Sequence, residues 1–427
     1  MLSASFDSIV FHIVSTTTGV CVSTVQESVR AATGGVRVLG VRPSDLTARA
    51  RAAAQVAKDF AARVDAEGRF PSEAFAEIRK QRLLGIMVPQ SLDGEGANLA
   101  EIADVCFILG QACASTGLIY AMHQIKMACI VRHTCGNAAV EAILRRVGTE
   151  QLLMASSTTE GQAGGNVRSS EAPIERNADR VSLERKATVI SYAIEADGIV
   201  TTARRSADAA ATDQVLVVLL KADYTLERLQ VWDTLGMRGT HSEGFTLRAH
   251  ASGEQVLAEP YEKIHSQTMV PYAHLLWGSV WAGIAAAAAG KAQTFIRHAM
   301  RQSNGQAPPG AAHFTQAVST LRTLRGVLSS ALRSYEAALA DDKTIASLEF
   351  QSMITLTKVQ ASEMAVSVVL SALRACGLSG YRNDTEFTIG RHLRDVLSAP
   401  LMINNDRILA NLAGTSLMTP LPTSIGG

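Results

Sequence analysis

Thirty-three consecutive residues, Thr344 to Cys376, contain neither proline nor glycine. A run of that length reads as one long helix. Such a helix cannot bury its apolar stripe alone, so it calls for other long helices in a bundle. Trp281–Arg301, Thr315–Asp341 and Ile403–Leu412 are the candidates, and Pro308-Pro309-Gly310 makes a clean break between the first two. These segments predict a C-terminal four-helix bundle over residues 266–418. Residues 44–150 are helical as well: Leu46, Ala50, Ala53, Val56, Ala57 and Phe60 recur at three and four, the spacing of one helix face. Pro71-Ser72-Glu73 opens a second helix. Leu99–Leu109 and Leu118–Val131 are apolar helical runs, with Gly117 as either a break or a tight contact.

Between the two helical zones the period changes. Val181–Ala193, Gly198–Thr202, Gln214–Leu220 and Phe245–Val256 read as strands, separated by turn signals at Asn177-Ala178-Asp179, Asp197-Gly198 and Ser252-Gly253. Gln214–Leu220 is apolar without alternation, as in a strand buried on both faces. The chain is therefore an α+β protein: an extension over 1–43, disordered or preceding the true start, an N-terminal helical domain over 44–150, a middle β-domain over 151–265, the bundle, and a tail over 419–427.

Composition excludes several classes. With 47% hydrophobic and 19% charged residues the chain is not disordered. Forty basic against 39 acidic residues leave +1, without the basic excess of a nucleic-acid binder. The six cysteines show no CxxC spacing and read as buried, reduced thiols of a cytoplasmic protein. None of the histidines has metal-ligand spacing. The first thirty residues lack the basic start of a targeting signal. Leu275–Gly290, at 16 residues with alanine the commonest, is too short for a membrane span and reads as a buried helix.

Four motifs stand in order along the chain. Ser156–Asn166 (SSTTEGQAGGN) is a polar, glycine-rich loop. Trp232–Ser242 (WDTLGMRGTHS) contains Leu-Gly-Met-Arg-Gly-Thr. Cys376–Asp395 joins a Gly-x-x-Gly-Tyr turn to Arg-x-x-Arg-Asp. Leu412–Ser416 reads LAGTS. Together with the helix–strand–helix order, these resemble the acyl-CoA dehydrogenase superfamily over roughly residues 45–418.

The resemblance implies FAD held between the β-domain and the C-terminal helices. It implies a homodimer or homotetramer, because a neighbouring subunit supplies part of each flavin site. It also implies a small organic substrate, most often an acyl thioester on CoA or a carrier protein, and an electron-transfer protein or flavin reductase as a further partner. Cofactor contacts implied by the matched motifs are Ser157, Thr159, Gly164 and Gly165 in the first loop, Ser191 near the reactive edge of the flavin, and Thr415 in the last motif. Gln316 and Gly377 would come from the partner subunit. Arg238 is architectural, since its rigid donor fork can tie several carbonyls together. Arg391, Arg394 and Asp395 read as helix-anchoring ion pairs.

In this family a glutamate takes the α-proton of the thioester while the β-hydrogen passes to the flavin. That glutamate stands in one of two places, and here they hold Ala413 and Trp277. Asp384 and Asp406 are acids nearby in sequence, but spacing puts neither at the flavin, so no base is assigned. Three readings follow: a divergent dehydrogenase of acyl thioesters, a monooxygenase using reduced flavin and oxygen, or a non-catalytic interaction protein. Histidines that some sulfur- and nitrogen-oxidising members carry after Arg-x-x-Arg are replaced here by Ala399 and Met402.

Overall fold

In the computed structural model, which describes residues 45–160 and 167–418, five α-helices come first. They are α1 (Leu46–Glu67), α2 (Ser72–Lys80), α3 (Leu99–Ala112), α4 (Ala114–His133) and α5 (Ala138–Glu150). Asp45 caps α1 by accepting from the Thr47 N–H at 2.9 Å, and Gly68 ends it in the left-handed region. Asn98 and Glu101 close a capping box on α3. The break between α3 and α4 falls at Cys113, which is extended, and not at Gly117. Gly117 lies inside α4 as a tight contact, where a Cβ would come 2.8 Å from the Gly110 nitrogen. The extension over 1–43, Gly164, Gly165 and the tail over 419–427 lie outside the described residues.

Two sheets follow. β1 (Met154–Ser157), β4 (Gly198–Arg204) and β5 (Gln214–Leu220) form the first, with β1 parallel to β4 and β4 antiparallel to β5. Gln214–Leu219 is buried throughout, as its unbroken apolar run requires. β2 (Glu175–Asn177), β3 (Arg180–Ser191), β7 (Ser242–Ser252) and β6 (Tyr224–Gln230) form the second sheet in that spatial order, antiparallel throughout. A bulge interrupts β3 after Ala187, and pairing resumes with Ile190 opposite Glu243 and Ser191 opposite Ser242. The residues it displaces, Thr188 and Val189, are exposed.

The last zone begins with α6 (Tyr261–Ile264), which runs through a π-turn at His265–Met269 into α7 (Val270–Gln302). Then come α8 (Ala311–Ala338), α9 (Asp342–Ala346), α10 (Leu348–Cys376), α11 (Leu378–Tyr381), α12 (Gly390–Val396) and α13 (Asn405–Met418). α7, α8 and α10 pack on one another, α3 lies against α7, and α13 lies against α10. The helix expected from Thr344 to Cys376 is broken at Ser347. That residue is extended, and its hydroxyl accepts from the Phe350 N–H at 3.2 Å, capping α10. The absence of Pro and Gly does not preclude such a cap. The most apolar window of the Tyr261–Gln302 helix is 78% buried in protein, which marks it as a core helix.

One core joins the helices to the sheets, with Phe75, Tyr120, Phe245, Trp281 and Tyr335 enclosed. Each such side chain contributes roughly 2–3 kcal/mol by burial. Cys106, Cys113, Cys129 and Cys376 are buried free thiols.

Candidate functional site

β1 is seated on the N-terminal helices by a buried histidine. His123 of α4 meets the Leu84 carbonyl through Nε2 at 2.9 Å, and its Nδ1 accepts from the Met154 N–H at 3.0 Å. Only a neutral ring can accept at one nitrogen and donate at the other, and burial lowers its pKa to about 4. The strand ends at Ser157, whose side chain is completely enclosed and has no hydrogen-bond partner among the described residues. Thr158 and Thr159 are the half-buried hydroxyls at this strand end.

Glu160 was not singled out in the sequence, though it stands inside the first motif. Its carboxylate accepts from the Ser170 hydroxyl at 3.0 Å and the Glu171 N–H at 2.6 Å. Arg185 of β3 lies 3.2 Å away, and also donates to the Thr202 carbonyl and hydroxyl. Both charges are buried, so each compensates the other's lost hydration. The effect is to tie Glu160 to Ser170 and Glu171 and to β3 through Arg185.

The far end of β3 carries a line of hydroxyls. Ser191 Oγ lies 2.8 Å from Ser242 Oγ, Ser242 Oγ lies 2.7 Å from Thr240 Oγ1, and Thr240 donates to the Met237 carbonyl at 2.9 Å. Thr240 and Ser242 are buried, while Ser191 is half-buried. The backbone around this line is strained: Tyr192, Met237 and His241 have φ of 45°, 54° and 44°. Left-handed non-glycine residues cost of order 1 kcal/mol each and concentrate at sites that a fold over-determines. Here the Tyr192 N–H donates to the Thr240 carbonyl at 2.9 Å, and the Tyr192 hydroxyl donates to the Met154 carbonyl at 3.0 Å. This second bond ties the Ser191 end of β3 to β1. His241 meets the Glu195 carboxylate at 3.0 Å and the Gly68 carbonyl at 2.9 Å, so both ring nitrogens face acceptors. The carboxylate first, then the carbonyl, raise its pKa.

The second motif wraps this line and is pinned from two helices. Arg238 Nε donates to the Asp65 carbonyl at 2.8 Å and its Nη1 to the Thr234 carbonyl at 3.3 Å, an architectural use of its fork. Arg394 of α12 makes a two-pronged pair with Asp65 of α1 and donates to the Leu235 carbonyl at 2.9 Å. Asp395 accepts from the Met237 N–H at 2.7 Å. The expected pairs within α12 are thus replaced by bonds outward to α1 and the motif. Gly236 is required by this crossing, since a Cβ there would lie 2.1 Å from the Arg394 carbonyl.

Gln316 and Gly377 lie elsewhere, on α8 and at the end of α10. Gly310, at the start of α8, packs so closely on the end of α10 that a Cβ would lie 2.4 Å from the Ala375 carbonyl. Gln316 and Gly377 are exposed at that end of the bundle, beside Leu378 and Tyr381, which are more than two-thirds exposed. Thr415 is half-buried on α13 and Ala413 is exposed on the same helix. The first turn of α13 is anchored where Lys358 donates to Asn405 at 2.7 Å. Asn405 also donates to Glu363, about 20 Å along α10 from Gly377. No described contact in this chain links these residues to Thr159 or Ser191.

Trp277 is partly buried in α7, with a buried indole N–H that has no partner. Asp384 is exposed and paired with Arg382, and Asp406 is exposed. A groove of about 580 Å³ runs along the open face of the second sheet, from Glu160 and Pro173 past Lys186 and Thr188 to Gln230 and Gly244. Val189, Leu229, Val231 and Leu235 are exposed on the strand ends and the motif beside it. Glu160 and Thr188, which line the groove, are the chain neighbour of Thr159 and part of the bulge before Ser191, while Thr159 and Ser191 themselves do not line it. Among the described residues no group of three or more His, Cys, Asp or Glu is placed to hold a metal.

Known proteins share this organisation. The model of the acyl-CoA dehydrogenase N-terminal domain matches residues 45–149, and that of the C-terminal domain matches residues 278–416. A probable acyl-CoA dehydrogenase of Bacillus subtilis (strain 168), YngJ, is 23% identical over 82% of this chain and 93% of its own. Butyryl-CoA dehydrogenase from Megasphaera elsdenii has the same fold, with a TM-score of 0.72 at 16% identity over 89% of this chain and 100% of its own. FMN-bound TdsC from Paenibacillus sp. A11-2, a dibenzothiophene monooxygenase, superposes with a TM-score of 0.78 at 16% identity, over 88% of this chain and 98% of its own. With both family domains matched in order on either side of the sheets, the chain belongs to the acyl-CoA dehydrogenase family of flavin-dependent oxidoreductases.

Proposed function

We propose that this chain is the oxygenase half of a two-component flavin system, which uses reduced flavin and molecular oxygen to monooxygenate a small organic substrate. One oxygen atom enters the substrate and the other leaves as water, with the two electrons supplied by the reduced flavin. The observation that carries the reading is the state of the carboxylates. Removing an α-proton from a thioester needs a carboxylate in a dry cleft that is free to accept it. The fully buried acids among the described residues are Glu160, Glu243 and Asp395. Each is committed: to Arg185 and the loop backbone, to Arg228 at 3.0 Å, and to the Met237 N–H. The family positions hold Ala413, exposed, and Trp277, which cannot take a proton. Monooxygenation needs no such base, and the fold likeness to TdsC is compatible with it.

In this reading Thr159 and Ser191 hold the polar edges of the ring, and the Arg238–Arg394 crossing keeps its wall rigid. Gln316 and Gly377 of a second copy would close the site, which accounts for their exposure here. A flavin reductase would be the electron source. FAD is the expected nucleotide, and FMN is the form named for TdsC. Denaturing release of flavin from reconstituted protein decides between them.

The family resemblance also supports a second reading, desaturation of a CoA- or carrier-linked acyl thioester. Anaerobic mixing of oxidised holoprotein with a panel of acyl thioesters tests both. The monooxygenase reading expects no bleaching of the flavin, and oxygen-dependent product only when reduced flavin is supplied. Bleaching with formation of the matching enoyl thioester would overturn it. Ala413→Glu, placed on the open side of α13, is expected to leave the thioester assay silent. An active variant would show that only the base was missing.

A further inference from the structure

Between α4, β3 and α6 lies a buried group of polar side chains that the flavin reading does not use. Lys126 of α4 is 2% exposed, and the acceptor that its Nζ reaches among the described residues is the Met269 thioether, at 3.2 Å. A thioether sulfur is a weak acceptor and carries no charge. Arg185 of β3 is 1% exposed. Its Nη1 is already taken, by Glu160, Ser170 and the carbonyl and hydroxyl of Thr202. Its Nε and Nη2 are enclosed and have no partner among the described residues. Tyr261 of α6 connects the two cations: its hydroxyl donates to the same Met269 sulfur at 3.4 Å, and it lies in the field of Arg185.

Charge does not balance here. Lys126 and Arg185 are two buried cations, and Glu160 is one buried carboxylate. Burial lowers Lys126 to about 8, so it is still charged at pH 7. The groups that act on it are Arg185, which repels it, and Cys129 of the same helix, a thiol that burial pushes up to about 11. His265 on the π-turn feels Lys126 and is held neutral by burial, at about 3. An uncompensated buried charge costs several kcal/mol, and buried charges are paired as a rule. Shape narrows the class of the counter-charge. Nε and Nη2 form one side of the guanidinium, with two parallel N–H bonds, and that edge matches the two oxygens of a carboxylate.

We infer that Lys126, the unused edge of Arg185 and the Tyr261 hydroxyl form a buried site for a small carboxylate, held side-on by Arg185 and balanced in charge by Lys126. The Met269 side chain, unbranched with three rotatable bonds, holds the acceptor position and is the group that turns aside. The Lys126 and Tyr261 donors that it receives then pass to the carboxylate oxygens. The site needs no flavin, so it stands apart from the proposed reaction.

Calorimetry and melting curves of the full-length protein with sodium acetate, benzoate, chloride and phosphate, at one pH and one ionic strength, test this. Acetate or benzoate should bind saturably and raise Tm above its value in chloride or phosphate. Lys126→Met, of similar length and without charge, should weaken carboxylate binding roughly tenfold, as the loss of one charge-assisted bond implies. Arg185→Lys keeps a charge beside Glu160 but lacks the paired edge, so it should lose the preference for carboxylate over chloride. It also keeps the test open if Lys126→Met fails to fold. No saturable carboxylate binding by folded wild type, equal binding of chloride or phosphate, or a carboxylate affinity unchanged in the folded variants would overturn the inference. None of these outcomes bears on flavin uptake, so the proposed function stands or falls separately.

Discussion

The Leu-Gly-Met-Arg-Gly-Thr crossing and the α13 helix both carry family motifs, yet they are built in opposite ways. At the crossing, carbonyls of α1 and the motif meet Arg238 and Arg394, and the Met237 N–H meets a buried carboxylate. The glycine there has no room for a methyl group. On α13, Ala413, Gly414 and Ser416 face solvent, and a Cβ on Gly414 would meet nothing within 4 Å. A motif can therefore mark a wall completed within one chain or a surface left open for something else. Substitutions should separate the two by size of effect.

The largest effect is expected beneath the completed wall. Glu160→Ala leaves Arg185 charged, fully enclosed and without its carboxylate, which should cost about 3–5 kcal/mol. Urea denaturation with an unchanged slope and a lowered midpoint would report it. A loss under 1 kcal/mol would mean that Glu160 does not compensate the buried Arg185 charge. Gly236→Ala comes next, at about 2–3 kcal/mol, because the new methyl must push the Arg394 carbonyl aside and disturb the Asp395 bond with it. If that variant were as stable as wild type, the crossing would be looser than its geometry.

These residues show what could be read from the sequence. The three zones, the doubly buried β5 and the long helices were legible because periodicity and apolar content dictate them locally. The architectural role of Arg238 was legible from its chemistry, but not its partner, since Asp65 lies 173 residues away. The line Ser191–Ser242–Thr240 was not legible. Ser191 and Ser242 are neighbours only because a bulge in β3 resets the register with β7. The break at Ser347 was hidden because a serine can cap a helix without Pro or Gly nearby. Gln316 and Gly377 were placed by resemblance alone, and a single chain shows them on a surface apart from Thr159 and Ser191.

A smaller effect should appear with pH. His241 is held between Glu195 and the Gly68 carbonyl, with Glu243 adding to the negative field, so its folded pKa lies above the ordinary 6.5. The folded state then binds the proton more tightly than the unfolded one. The stabilisation is complete below pH 6.5 and is lost as pH rises through the folded value. Asp395, pushed up to about 6 by burial, acts only below that window. Lys126 and Lys358, lowered to about 8 by burial, work with the opposite sign above it. His241→Gln should therefore flatten the fall of Tm as pH rises above 6.5, relative to wild type. An identical slope in the two proteins would remove the charged histidine from the wall.

The smallest effect belongs to α13 and decides what that helix is. Gly414 sits mid-helix with open space where a Cβ would go. Alanine there reduces the backbone freedom lost on folding, so Gly414→Ala should stabilise the protein by about 0.5–1 kcal/mol. The family resemblance offers a different expectation. If Leu412–Ser416 instead turns in toward a flavin, the glycine would serve backbone approach, and alanine would weaken flavin binding without raising stability. Melting curves with and without flavin separate these. A rise in Tm that is equal in both keeps α13 as an outer helix whose motif has lost its site. A rise only without flavin, or a loss of the flavin-induced shift, would mean that α13 refolds on the cofactor, and the contrast with the crossing would then hold only for the flavin-free chain.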